Sequence, residues 1–186
     1  EALGFFHKRT EFVRGKNPAN PNLESFRFIT KTKIKHDIEQ FQYLENLYPD
    51  TDQFTKLVRI YSELKQEILW PDKDTAFVPL SEEHRKRFGS SYNRPLHIVE
   101  TPEIPGSALN KDLDARSIIQ SYMDNGPGMT YIDNLLSPEA LYSLRQFLLG
   151  STIWYEFTYS GGYLGTFLAD GLACPLLLQI ANQLRQ

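Results

Sequence analysis

The sequence predicts an α+β chain, mostly helical with a few strands, and three observations carry that expectation. Between Thr30 and Leu69, apolar residues recur every three or four positions in two consecutive runs, which is the spacing of helix faces. The stretch LLSPEALYSLRQFLLG, Leu135 to Gly150, contains the start and stop residues of a helix. The segment WYEFTYSGGYLGTFL, Trp154 to Leu168, reads as an apolar strand running into a Gly-Gly turn, with little strand-like sequence after it.

The first 29 residues combine aromatics (Phe5, Phe6, Phe12, Phe26, Phe28) with the turn-rich island GKNPANPN, Gly15 to Asn22, so a short helix followed by a loop is expected there. From Thr30, the residues Ile34, Ile38, Phe41 and Leu44 mark one face of a helix that ends near Pro49. A second helix starts at about Asp52, with Phe54, Leu57, Val58, Tyr61, Leu64 and Ile68 on its face and Pro71 beyond its end. The short connection makes residues 30–69 an antiparallel hairpin. No second copy of the hairpin recurs at a fixed period, which argues against a solenoid.

Residues 71–112 carry Pro71, Pro79, Pro95, Pro102 and Pro105, which restrict this Pro-rich segment to a short helix, Ser81 to Phe88, and extended pieces such as Leu96 to Glu100. A helix near Asp114 to Met123 ends at the turn sequence NGPG, Asn125 to Gly128. A strand is expected over Met129 to Ile132. It leads to a helix that Ser137 caps, Pro138 begins and Gly150 closes, with Glu139 at the positive end of the dipole. The next strand is expected over Ile153 to Tyr159, and Pro175 starts an amphipathic helix bearing Leu176, Leu177, Ile180 and Leu184.

At 186 residues, 41% hydrophobic and 23% charged, the chain has the length and composition of a globular protein with its own core. A net charge of −3 supplies no positive field for a polyphosphate backbone, so nucleic acid is not an expected partner. The one dense basic run, Lys31, Lys33 and Lys35 with His36, is offset by Asp37 and Glu39 and reads as a solvated helix face. A single cysteine, Cys174, fits a reducing compartment, and neither a secretory signal nor a long apolar span is present, so a cytoplasmic, membrane-independent protein is expected. The start at Glu1 in place of Met points to a processed or trimmed piece.

Chemistry-bearing patterns are sparse. None of His7, His36, His84 and His97 has a carboxylate two residues on, and no Gly-x-Ser-x-Gly elbow is present. Cys174 precedes a proline-initiated helix and reads as a buried, inert thiol. SGGYLG lacks the lysine and the spacing of a phosphate loop and reads as a turn. The acidic pairs Glu82 with Glu83 and Asp112 with Asp114 suit solvent and helix starts. No catalytic, cofactor-binding or metal-binding residue is assigned. Tyr155, Tyr159 and Tyr163 are the candidates for lining a cleft, against a default of aromatic packing, and Arg94 stands beside them for the structure to place.

The order strand, LLSPEALYSLRQFL, strand, LLLQIANQLRQ, opened by Tyr131 to Glu139 (YIDNLLSPE), resembles the opening region of iron(II)- and 2-oxoglutarate-dependent oxygenases of the prolyl-hydroxylase-like type. Residues 1–125 resemble the leader of bacterial proteins that carry such a domain, around Asn17 to Phe28 and Lys33 to Leu44. The resemblance implies a leader over 1–125 and a truncated oxygenase-like domain over 126–186, with strands packing at the edge of a downstream double-stranded β-helix. It further implies that Fe(II) and 2-oxoglutarate are held by that β-helix in a full-length parent that hydroxylates a protein or small-molecule substrate. The family's His-x-Asp pair, distal His and basic 2-oxoglutarate ligand have no counterpart here. On this expectation the chain is a non-catalytic scaffold, and its uncovered strand edge pairs with extended segments such as Leu96 to Glu100 or with another chain. The alternative is a helical protein-interaction module without enzymatic activity, built on the 30–69 hairpin.

Overall fold

Thr30 opens the first helix by accepting a hydrogen bond from the Lys33 N–H at 3.1 Å, so one of the unpaired donors of the first turn is satisfied by a side chain. In the computed structural model, which describes residues 27–126, 128–157 and 161–185, this helix is α1, Lys31–Leu47. It stops where Tyr48 leaves the helical region and Pro49 follows. The second helix, α2, covers Gln53–Glu67. Phe41 meets Tyr61 edge-on at 4.6 Å and the Thr55 hydroxyl donates to Glu45 at 2.6 Å, so the two helices run antiparallel, as the spacing predicts.

The described residues are α+β and mostly helical, with a two-stranded antiparallel ladder. In this ladder β1, Phe28–Ile29, pairs with β2, Val78–Pro79. Ser81 then caps α3, Glu82–Phe88, and Gly89, at φ +56, ends it in a conformation suited to glycine. Three further helices follow: α4, Ala115–Asp124; α5, Pro138–Gly150; and α6, Pro175–Gln183. As the sequence predicts, Ser137 caps α5 by accepting the Ala140 N–H at 3.2 Å, and Pro175 stands in the first turn of α6. Among the described residues no helix is long and apolar enough to cross a membrane.

The chain divides into two compact units, Glu1–Ile98 with Ser151–Ala173, and Val99–Gly150 with Cys174–Gln186. The position 125/126 expected to separate a leader from an oxygenase-like domain lies inside the second unit. In the first unit, α1 and α2 close with Phe88, Tyr92 and Phe157 over a core that also holds Ile29, Ile34, Leu64, Ile68 and Leu80. In the second unit, Gln179 and Gln183, four residues apart on α6, serve the backbone of an irregular loop. Gln179 pairs with both the N–H and the C=O of Ile104, and Gln183 Oε1 accepts from Ala108 N–H at 2.8 Å and Leu109 N–H at 3.2 Å. The loop's polar backbone is thus satisfied without a sheet.

Three expectations need correction. Residues 129–132 form no strand; the bridge in that region joins Leu109 to Leu136, and Tyr131 stands 86% exposed, without the ladder partner a strand requires. Over Ile153 to Phe157 the chain makes a single bridge, Glu156 with Gly165, and Thr158 and Tyr159 lie outside the described residues. The segment from Leu96, expected to pair with it, instead meets Thr152, just before it: the Thr152 N–H donates to the His97 carbonyl at 2.9 Å and Thr152 Oγ1 accepts the N–H of both Leu96 and His97, a local contact without a ladder. Third, the basic run is not a solvated face. Lys33 is 1% exposed and Asp37 7%, whereas Lys31 and Lys35 remain accessible and pair with Asp74 at 3.0 and 2.6 Å. Helix geometry of about 100° per residue sets Lys33 and Asp37 in one arc with Ile34, Phe41 and Leu44, and turns Lys31 and Lys35 to the opposite side.

Candidate functional site

Two features of the first unit concentrate polar chemistry. The first is the enclosed Lys33. Its Nζ lies 2.5 and 2.6 Å from the two carboxylate oxygens of Asp37, 5.4 Å from the centre of the Tyr92 ring and 6.0 Å from that of Phe157. Carboxylate and aromatic faces together replace the water that the ammonium has lost. Burial, and then the Asp37 charge, push the Tyr61 and Tyr92 phenols well above their ordinary range. Both stay protonated and bond: the Tyr61 hydroxyl meets Ser91 Oγ at 3.1 Å, and the Tyr92 hydroxyl donates to the Phe28 carbonyl at 2.5 Å. Every polar member of this centre faces a structural partner, so the arrangement orients α1 against the core.

The second feature is an open depression of about 480 Å³ where α2 begins beside the turn after α3. Leu57, Phe88 and Leu96 form its apolar floor, and Gln53, Lys56, Ser90 and Arg94 its polar wall. Lys56 is held by Asp52 at 2.6 Å, and burial lowers the Arg94 pKa from its ordinary value. Ser91, also on the wall, donates to the Phe88 carbonyl at 2.7 Å, so its hydroxyl fixes the turn. The depression offers polar recognition. Its geometry supplies no hydrogen-bonded pair of nucleophile and base.

Neither Tyr155 nor Tyr163 lines this depression, although Arg94 does. Tyr155 is half-buried and bonded to Asp170, and burial followed by the Asp170 charge raises its pKa. Tyr163 is 74% exposed, its ring lying beside Gly161. Tyr159 falls outside the described residues. The Gly-Gly segment is a turn, with Gly161 at φ +85 and Gly162 at φ +78. Gly162 sits so close to the loop after Asp74 that an added Cβ would lie 2.5 Å from Thr75 Cγ2.

The histidines serve separate places. His36 is half-buried, with no hydrogen-bond partner for its Nε2 among the described residues, and burial lowers its pKa against the opposing pull of Asp37. His97 Nδ1 bonds the Tyr48 hydroxyl at 2.7 Å. Cys174 is fully buried at the start of α6. Among the described residues no three His, Cys, Asp or Glu side chains converge as ligands of a metal ion would, so these residues do not fit an iron site.

Sequence reasoning missed the Lys33–Asp37 centre, although its signal was present: a lysine and an aspartate four apart on the same arc as three apolar residues. The depression gave no such signal, because its wall joins residues more than 40 positions apart. The chain matches no family model, no curated protein and no solved structure.

Proposed function

We propose that the chain is the non-catalytic N-terminal scaffold of an iron(II)- and 2-oxoglutarate-dependent oxygenase, whose full-length parent hydroxylates a protein or small-molecule substrate. The observation that carries this reading is the run from Tyr131 to Arg185. Its Ser137-capped helix α5 and proline-started helix α6 correspond to the two helices of the resemblance to prolyl-hydroxylase-like oxygenases, without the two strands that go with them there, and this supports the reading. In this reading the downstream β-helix holds Fe(II) and 2-oxoglutarate, and the present residues support it.

The 30–69 hairpin is less suited to act as an interaction module, since Phe41, Phe54, Tyr61 and Leu64 turn inwards. The test compares the 186-residue chain with the parent polypeptide extended beyond Gln186. Calorimetric titration with Fe(II) and 2-oxoglutarate is expected to show binding by the parent alone, and only the parent is expected to release succinate. Turnover of 2-oxoglutarate by the 186 residues overturns the proposal, as does a downstream reading frame without a His-x-Asp pair and a later His.

A further inference from the structure

Tyr48 and His97, 49 positions apart, meet within the first unit. Tyr48 directly follows α1, and its backbone is held on both sides: its N–H donates to the Leu44 carbonyl at 2.9 Å and its carbonyl accepts the Thr51 N–H at 3.3 Å. Buried Thr152 holds His97 in the same way, accepting the His97 N–H on Oγ1 at 2.9 Å and donating its own N–H to the His97 carbonyl at 2.9 Å. The phenol ring stacks on Phe54, with centres 5.7 Å apart, and meets the imidazole edge-on at the same separation. Its hydroxyl lies 2.7 Å from His97 Nδ1.

Burial lowers the His97 pKa from 6.5, so the ring is neutral at neutral pH. A phenol is the better donor of the two groups and an unprotonated ring nitrogen the better acceptor, so the Tyr48 hydroxyl donates to Nδ1 and Nε2 carries the ring proton. An oxygen nucleophile that donates to a fixed neutral base is set to lose its proton as it attacks. Exposure alone does not distinguish this tyrosine: Tyr48 is 40% exposed and Tyr43 39%, and Tyr131, Tyr142 and Tyr163 are more exposed than either. Among the described residues no histidine is hydrogen-bonded to the hydroxyl of any of these four.

We propose that Tyr48 is a site of covalent modification, its Oη accepting an acyl group from an activated acyl donor while His97 Nδ1 removes the phenolic proton. This goes beyond the scaffold reading and does not depend on it. In the step, Oη forms a bond to the donor's carbonyl carbon, and the bond from that carbon to the leaving group breaks with its electron pair going to the leaving group. The proton passes from Oη to Nδ1 and then to the departing group, so the imidazole returns neutral. The rings beside the phenol, Phe54 and the imidazole, carry no charge, which suits a neutral carbonyl, whereas a phosphoryl group calls for cations around its oxygens.

The test treats the 186-residue chain with N-acetylimidazole at neutral pH and follows each tyrosine by peptide mass mapping over time, with hydroxylamine reversal identifying the phenyl ester. Tyr43, matched in exposure, is the reference within the same sample. Tyr48 is expected to be acetylated about tenfold or more faster than Tyr43. His97→Asn keeps an acceptor for the hydroxyl but takes up no proton, and is expected to bring Tyr48 down to the Tyr43 rate while Tyr43 itself and the circular dichroism stay unchanged. Equal rates at Tyr48 and Tyr43 in the parent chain overturn the proposal without any variant. A faster Tyr48 that His97→Asn leaves as fast as before overturns it as well, since the imidazole is then not the base.

Discussion

Replacing Lys33 by methionine removes one half of a buried ion pair and leaves the other half without its cation. The two side chains are 1% and 10% exposed, and the ammonium lies within 2.6 Å of both carboxylate oxygens. The nearby phenols cannot take over, because Tyr61 and Tyr92 already bond Ser91 and the Phe28 carbonyl. A stranded buried charge of this kind costs roughly 3–5 kcal/mol. In a chain of this length that corresponds to a fall in Tm of about 6–20 °C. Asp37→Leu alone strands the ammonium and is expected to cost a similar amount. The double variant Lys33→Met/Asp37→Leu strands nothing, and its apolar side chains face Tyr92 and Phe157, so it is expected to recover most of the stability and to show a coupling of about 2 kcal/mol or more. Urea unfolding at pH 7, followed by fluorescence of Trp70, which packs on this core, measures all four corners. Single variants within about 0.5 kcal/mol of the parent, or a double variant equal to the sum of the singles, refute the reasoning.

Gly162→Ala meets two obstacles, a backbone at φ +78 and a Cβ 2.5 Å from Thr75 Cγ2, and is expected to destabilise the first unit by about 1–3 kcal/mol in the same unfolding assay. Gly126→Ala, where an added Cβ meets nothing within 4 Å, serves as its control. Acid sensitivity follows from His36 and His97, whose pKa values burial lowers from 6.5. The unfolded chain therefore binds protons that the folded chain refuses, so stability is expected to fall as pH drops below about 6.5 and to level off only below the depressed folded values. His36→Gln is expected to flatten that slope in unfolding curves between about pH 7 and pH 5; an unchanged slope refutes the assignment to His36.

The helices were legible because each is specified by neighbours in the chain. Thr30, Ser81, Asp114 and Ser137 accept backbone N–H groups within the first turn of the helix each precedes, and Pro49 and Pro71 follow α1 and α2. The strands expected at 129–132 and 153–159 were less legible, since a strand is completed only by a partner that its own residues do not name. The Leu96–His97 segment meets Thr152, through one backbone bond and the Thr152 hydroxyl, and not the expected strand at 153–159, and the ladder between Phe28–Ile29 and Val78–Pro79 joins segments about 50 residues apart. The tyrosines near Gly162 illustrate the same limit: alternation along the chain did not foretell that Tyr155 bonds Asp170 while Tyr163 remains in solvent.

By itself the sequence determined the helices, their caps and the glycine turn, because these depend on backbone geometry and on contacts within a few residues. Only the tertiary structure decided which charges are buried. Lys33 and Lys35 are the same residue type two positions apart, yet one is enclosed by Tyr92 and Phe157 and the other reaches Asp74 in solvent. The physical reason is that burial is set by what packs against a helix face from distant parts of the chain, and the free energy of a charge depends on that environment far more than on its neighbours in sequence.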